Sequence, residues 1–75
     1  MPVPFYMLIR TKMGYSREVV HETLKIKGVK ISHSVMGNYE IILYAEGESI
    51  EDVRRIRNTV HEINGVTLTE TCIHA

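Results

Sequence analysis

Two short groups of polar residues are the candidates for chemistry in this 75-residue chain. The first is the segment Met36-Gly37-Asn38-Tyr39-Glu40, where a glycine turn precedes a hydroxyl and a carboxylate. The second is a row of threonines at alternate positions, Thr67, Thr69 and Thr71. Free backbone groups at a glycine turn, hydroxyls and a carboxylate together supply donors for a ligand carboxylate and acceptors for an ammonium group. These residue types therefore suit the binding of a zwitterion.

Residues arranged for catalysis or metal binding are not evident. The four histidines, His21, His33, His61 and His74, are far apart in the sequence, and none has the H-E-x-x-H or tight Cys/His spacing of a metal site. The single cysteine, Cys72, cannot form an internal disulfide and suits a small buried side chain in a strand. No G-x-S-x-G motif and no phosphate-binding glycine loop occurs. We therefore expect no catalytic residue, no metal and no cofactor.

Composition and charge describe one ordinary folded domain, spanning residues 1–75. Hydrophobic residues make up 44% of the chain and charged residues 24%, which argues against disorder. Nine basic and nine acidic residues cancel, so we expect no direct binding to nucleic acid through phosphate neutralisation. The sequence has no apolar run of about 18 residues and no signal-peptide pattern, so we expect a cytoplasmic protein without a membrane span.

Hydrophobic spacing predicts six elements in the order β-α-β-β-α-β. Strand patterns cover 5–12, 29–36, 39–46 and 66–74, and helical spacing covers 15–27 and the segment after Ser49, which forms a capping box with Asp52. Gly37 and Asn38 predict a two-residue type II′ hairpin turn. Similar segments starting at Gly28 and Gly65 each close a βαβ unit. Two such units predict an α+β, ferredoxin-like sandwich, with a four-stranded antiparallel sheet and both helices on one face.

Alternation along the strands predicts two sets of side chains on the sheet, and neither set is polar throughout. The first set contains Val29, Ile31, His33, Val35, Ile41, Leu43, Ala45, Val66, Leu68, Glu70 and Cys72, and the second contains Ser32, Ser34, Met36, Ile42, Tyr44, Thr67, Thr69, Thr71 and Ile73. A sheet with one solvated face would alternate more sharply. We therefore expect the uncovered face to pair with a second subunit, against the alternative that short strands simply expose apolar residues.

The run GVKISHSVMGNYEIILYAEGES, followed by NGVTLTETCI, resembles the effector-binding RAM domain of the Lrp/AsnC transcriptional regulators. That family shows a Gly-Val strand start, a G-x-Y-D hairpin and a last strand of the form G-V-x-x-T-x-T. Gly37, Tyr39 and Glu40 match the hairpin motif, and Thr69 and Thr71 match the paired threonines. Glu40 replaces the usual Asp, and its extra methylene moves the carboxylate. Because the sequence begins at the first strand, without a helix-turn-helix, it resembles the stand-alone RAM proteins.

The resemblance implies an oligomer that binds an amino-acid effector and modulates Lrp/AsnC-type transcription. RAM domains dimerise through their sheets, and the dimers assemble into rings, commonly octamers, with the amino acid bound between dimers near the hairpin. The implied ligand residues are Met36, Gly37, Asn38, Tyr39, Glu40, Thr69 and Thr71. The resemblance also implies that any effect on DNA needs a helix-turn-helix regulator as partner.

Three other interpretations remain open from the sequence. An ACT domain has the same element order and also binds amino acids, but at the turn after the first strand, here KMGYS with Gly14. A small dimeric ferredoxin-like enzyme, such as a monooxygenase or isomerase, would use His33 or Tyr44 in a deep enclosed cavity. A purely structural partner would keep the fold with a ligand site that no longer binds.

Overall fold

The computed structural model describes residues 1–75 and has the predicted order of elements. They are β1 (Val3–Thr11), α1 (Ser16–Thr23), β2 (Val29–Ser34), β3 (Ile41–Gly47), α2 (Ile50–His61) and β4 (Val66–Ile73). The strands form one sheet in the order β2-β3-β1-β4, and all neighbours are antiparallel. This is the predicted ferredoxin-like sandwich, with β1 and β3 at its centre and β2 and β4 at its edges.

The core lies between the sheet and the two helices. Alternate residues of the paired central strands meet there, because Phe5 lies opposite Ala45 and Ile9 lies opposite Ile41. The buried apolar side chains are Phe5, Met7, Ile9, Val19, Ile41, Leu43, Ala45, Val53, Ile56 and Val60. Burial of a large apolar side chain contributes about 1.5–3 kcal/mol, so this cluster provides the main stabilisation of the fold. Neither helix is long and apolar enough to span a membrane.

The first helix ends earlier than its sequence pattern predicts. It stops at Thr23 rather than near residue 27, and the N–H groups of Lys25 and Ile26 bond to carbonyls three residues back, as in Ile26 N–H to the Thr23 carbonyl at 3.1 Å. Such bonds tighten the last turn and redirect the chain. Val29 N–H then bonds to the Ile26 carbonyl, so the chain enters β2 directly.

The connection between β2 and β3 is also longer than predicted. Val35 N–H bonds to the Glu40 carbonyl at 2.8 Å, which leaves a four-residue tip, Met36–Tyr39, with no backbone hydrogen bond across it. The predicted two-residue type II′ turn is therefore wrong. The physical reason is that Glu40 N–H bonds to the Ile9 carbonyl of β1 at 3.0 Å, which draws the chain towards β1 before the hairpin can close on Met36.

The predicted sorting of side chains onto the two faces was wrong for β3. Ser34 lies opposite Ile41 and His33 lies opposite Ile42, so the serines of β2 share the helix-covered face with the buried residues of β3. The Thr23 hydroxyl of α1 donates to the Ser32 hydroxyl at 2.8 Å, which satisfies this buried polar pair. The uncovered face instead carries Tyr6, Leu8, Arg10, Ile31, His33, Ile42, Tyr44, Leu68, Glu70 and Cys72.

Candidate functional site

The carboxylate of Glu40 is fixed at the turn between β1 and α1. Its Oε1 accepts a hydrogen bond from Thr11 N–H at 2.8 Å. The Glu40 backbone is held on both sides, because its N–H bonds to Ile9 and its carbonyl accepts from Val35. Glu40 follows the hairpin tip directly and precedes β3, so three neighbouring strands determine where its carboxylate lies.

Glu40 lines a cavity of about 390 Å³, together with Thr11, Lys12, Met13, Gly14 and Ser16. We call these six residues the β1–α1 junction cavity. Glu40 is half-buried, and neither of the two ion pairs in the chain involves it or Lys12. The cavity therefore holds one carboxylate with a free oxygen and one free ammonium group. Its volume is near the lower end of the roughly 300–1,000 Å³ found for ligand pockets, which suits a small molecule.

The adjacent helix begins without a side-chain cap. Tyr15 occupies the N-cap position of α1, and its side chain accepts no hydrogen bond. The first N–H groups of α1, from Ser16 to Glu18, have no acceptor within the chain. Tyr15 is positioned by packing on Gly65, where a Cβ atom would lie 2.5–2.8 Å from three side-chain atoms of Tyr15. The packing of Tyr15 on Gly65, rather than a side-chain cap, therefore fixes the start of α1.

Most of the hairpin tip is exposed to solvent. Met36, Gly37 and Asn38 have no side-chain hydrogen bond and do not line a cavity. Tyr39 crosses the uncovered face of the sheet, and its hydroxyl donates to Glu70 Oε1 at 2.7 Å. This hydrogen bond, and secondly partial desolvation, raises the pKa of Tyr39 above its ordinary value. Tyr39 therefore links the tip to β4 and is not directed into the junction cavity.

The paired threonines occupy the other face of the sheet. Thr69 lies opposite Ile9 and Thr71 opposite Met7, so both side chains are on the helix-covered side. The Thr69 hydroxyl contacts the imidazole of His61 at the end of α2. The Thr71 hydroxyl is buried and has no hydrogen-bond partner. Neither threonine lines the junction cavity.

One chain thus does not bring all the residues of the predicted ligand set together. Only Glu40 lies in the junction cavity, and the predicted set did not include Lys12, Met13 or Ser16, which lie there with it. The signal for these residues was the segment KMGYS, which only the ACT interpretation connects with ligand binding.

The uncovered face of the sheet is largely apolar. Tyr6, Ile31 and Leu68 retain 42%, 47% and 50% of their exposure, and the rings of Tyr6 and Tyr44 lie 5.2 Å apart. The Tyr44 hydroxyl donates to Glu46 at 2.8 Å, and this bond raises the pKa of Tyr44. An exposed apolar surface of this kind is typical of an interaction site.

An open depression of about 450 Å³ on this face is lined by Tyr6, Ile31, His33, Ile42, Leu43 and Tyr44. It is not the deep enclosed cavity that the enzyme interpretation requires for His33. The chain also has no cluster of three or more His, Cys, Asp or Glu side chains close enough to hold a metal ion.

Comparison with known proteins identifies structural relatives. No protein-family model matches the sequence, and no curated protein matches it either. Among solved structures, FFRP-DM1 is 27% identical, with a TM-score of 0.90, and the match covers 97% of this chain and 99% of that one. E. coli AsnC is 20% identical, with a TM-score of 0.87, over 96% of this chain and 50% of AsnC.

A third relative is the transcriptional regulator NMB0573 of Neisseria meningitidis, solved as a complex with L-Met. It is 12% identical, with a TM-score of 0.83, over 97% of this chain and 49% of that one. The chain thus spans about half the length of these two regulators. The resemblance predicted from the hairpin and threonine motifs is confirmed at the level of the fold, and the chain has the RAM-like fold of the Lrp/AsnC regulators over nearly its full length.

Proposed function

We propose that this chain is an effector-binding domain of the Lrp/AsnC type and that its effector is an amino acid. The observation that carries the proposal is the Glu40 carboxylate. It is half-buried, one oxygen is bonded to Thr11 N–H, and no cation within the chain forms an ion pair with it. A partly buried carboxylate without a counter-ion favours a ligand that brings a positive charge.

The second ligand group follows from Lys12, which lines the same cavity and is unpaired. In this proposal Glu40 accepts from the α-ammonium group and Lys12 binds the α-carboxylate. A structural relative of this chain has been solved with L-Met, which supports an amino acid as the class of ligand. Thr69 and Thr71 lie outside the cavity, and the Thr71 hydroxyl is buried within its own chain, so of the two only Thr69 is available for a contact across a subunit boundary.

Calorimetric titration with the twenty amino acids tests this proposal, with Glu40→Gln as the key variant. Gln keeps an oxygen to accept from Thr11 N–H, so folding should change by no more than about 0.5 kcal/mol. Loss of a charge-assisted hydrogen bond should weaken binding about tenfold to a hundredfold. The control is Glu48→Gln, which removes a carboxylate outside the cavity and should bind normally. Binding of no amino acid, or equal affinities for wild type and Glu40→Gln, would refute the proposal.

We also propose that the protein is an oligomer built from dimers paired through the uncovered face. The apolar side chains on this face support the proposal, and so does the small size of the core. Light scattering at micromolar concentration should show at least a dimer. Leu68→Glu should dissociate it, whereas Leu24→Glu, at an equally exposed C-cap position after α1, should not. A wild-type monomer of 8.6 kDa would contradict this assembly, and with it any ring of dimers.

An influence on transcription, in this proposal, depends on a DNA-binding regulator as partner. The formal net charge is zero, so few counterions would be released by contact with DNA phosphates. Fluorescence anisotropy with labelled duplex DNA at physiological salt should show no saturable binding. Submicromolar affinity of the chain alone would contradict this part of the proposal.

A further inference from the structure

We infer that the β1–α1 junction cavity selects amino acids with apolar, flexible side chains. The inference rests on the proposed function, because it concerns the side chain of the ligand that Glu40 would hold. It is drawn from what remains of the cavity wall after the two common groups of an amino acid have been placed.

The α-ammonium and α-carboxylate groups of the ligand pair with both charged groups of the cavity, so no charged group is left for the ligand side chain. Of the six lining residues only Glu40 and Lys12 are charged, and they match one ammonium and one carboxylate group. A charged ligand side chain would have no opposite charge in the cavity. It would lose part of its hydration without compensation, which is unfavourable.

The remaining wall consists of Gly14, the short hydroxyl side chains of Thr11 and Ser16, and one large apolar group, Met13. Its side chain is fully exposed in the structure and lines the cavity beside Gly14, where a Cβ atom would meet nothing within 4 Å. Methionine has three rotatable side-chain bonds and adapts to irregular apolar shapes. Met13 is therefore free to pack over an apolar ligand side chain. This contact would explain why a large apolar side chain is exposed at this position. Met36, the methionine of the implied ligand set, does not line the cavity.

The test compares ligands that share a backbone and differ in side chain. L-methionine, L-glutamine, L-lysine and L-glutamate have similar lengths, and L-alanine serves as the short reference. Calorimetry should show L-methionine binding about tenfold more tightly than L-alanine or L-glutamine, from partial burial of its apolar side chain, and L-lysine and L-glutamate binding more weakly still.

The variant Met13→Ser should reduce the ratio of L-methionine to L-alanine affinity from about tenfold to near one. This change should come from weaker L-methionine binding, because Glu40 and Lys12 still bind the two charged groups that both ligands share. Met36→Ser is the matched control, because Met36 is equally exposed but lies outside the cavity. It should keep the wild-type ratio. Both positions are fully exposed, so both variants should fold, and circular dichroism verifies this.

Failure of this inference differs from failure of the proposed function. If no amino acid binds the wild type, the proposed function fails and the inference fails with it. If amino acids bind and Glu40→Gln weakens them, but charged side chains bind as well as apolar ones, only the inference is overturned. It is also overturned if Met13→Ser keeps the wild-type affinity ratio or if Met36→Ser lowers it.

Discussion

The two junctions between a strand and the following helix differ sharply, although both belong to βαβ units of the same design. At the β3–α2 junction, the Ser49 hydroxyl accepts from Asp52 N–H at 3.1 Å. The Asp52 carboxylate accepts from Glu48 N–H at 2.9 Å and from Arg55 Nε at 2.7 Å. Arg55 also donates to the Lys27 carbonyl at 3.1 Å. Most polar groups of this junction are bonded to one another.

At the β1–α1 junction the polar groups are left available. α1 has no side-chain cap, Lys12 is unpaired, and one oxygen of Glu40 is free. Space differs in the same way: a Cβ atom at Gly47 would meet a Val53 methyl group at 3.0 Å, whereas one at Gly14 would meet nothing within 4 Å. A polar depression of about 310 Å³ also borders the β3–α2 junction, but its Asp52 and Arg55 are already paired. The repeat thus uses one junction for stability, and in the proposed function the other binds the ligand.

The largest expected effect concerns the packing of Tyr15 on Gly65 at the β1–α1 junction. Gly65 has φ +100°, and a Cβ atom there would lie within 2.8 Å of three Tyr15 side-chain atoms. Gly65→Ala should therefore lower the free energy of unfolding by about 2–4 kcal/mol, from backbone strain and overpacking together. Urea denaturation measures this loss.

The control for Gly65→Ala is Gly14→Ala, which has φ +85° but no neighbouring atom. It should cost only the strain, about 1–2 kcal/mol. Equal losses of unfolding free energy in the two variants would show that packing on Gly65 does not fix Tyr15, and that other contacts determine the β1–α1 junction.

A smaller loss of unfolding free energy is expected at the β3–α2 junction. Ser49→Ala removes the N-cap of α2 and should lower the free energy of unfolding by about 1 kcal/mol. Because Ser49 lies outside the β1–α1 junction cavity, amino-acid affinity should stay within twofold of wild type. A tenfold loss of affinity in this variant would mean that the two junctions are coupled, and the division of roles between them would fail.

The smallest expected effect is a change of stability with pH that arises from Asp52 at the β3–α2 junction. The hydrogen bond from Glu48 N–H, and secondly Arg55, holds the pKa of Asp52 below its ordinary value of 3.8. A carboxyl whose folded-state pKa is lowered contributes stability above its unfolded-state pKa, and this stability is lost as the pH falls through the folded-state value. Wild type should lose stability from about pH 4 downward more steeply than Asp52→Asn. Parallel curves in urea denaturation would contradict this role of Asp52.

The sequence was sufficient to predict much of the fold. The capping box at Ser49 and the apolar stripe of α2 are local patterns, and the structure confirms the helix at Ile50–His61. The order of elements followed from similar periodicities. The end of α1 was less predictable, because Lys25 and Ile26 continue a helical pattern that tertiary contacts override.

Face assignments needed the register between strands. Ile41 and Ile42 are equally apolar, so alternation within β3 does not show which of them is buried. The pairing of Ser34 with Ile41 decides it. The candidate site was divided for a related reason: the register of β4 on β1 puts Thr69 opposite Ile9, on the helix-covered face and outside the cavity that Glu40 lines.

The central claim is that an amino acid binds at the β1–α1 junction and not at the β3–α2 junction. Amide chemical shifts of the isotope-labelled protein, followed by NMR during titration with L-methionine, test it most directly. We expect the largest saturable shifts at Thr11, Gly14 and Glu40, while the amides of Ser49 and Asp52 remain unchanged. Saturable shifts centred on Ser49 and Asp52, with none at Glu40, would contradict it.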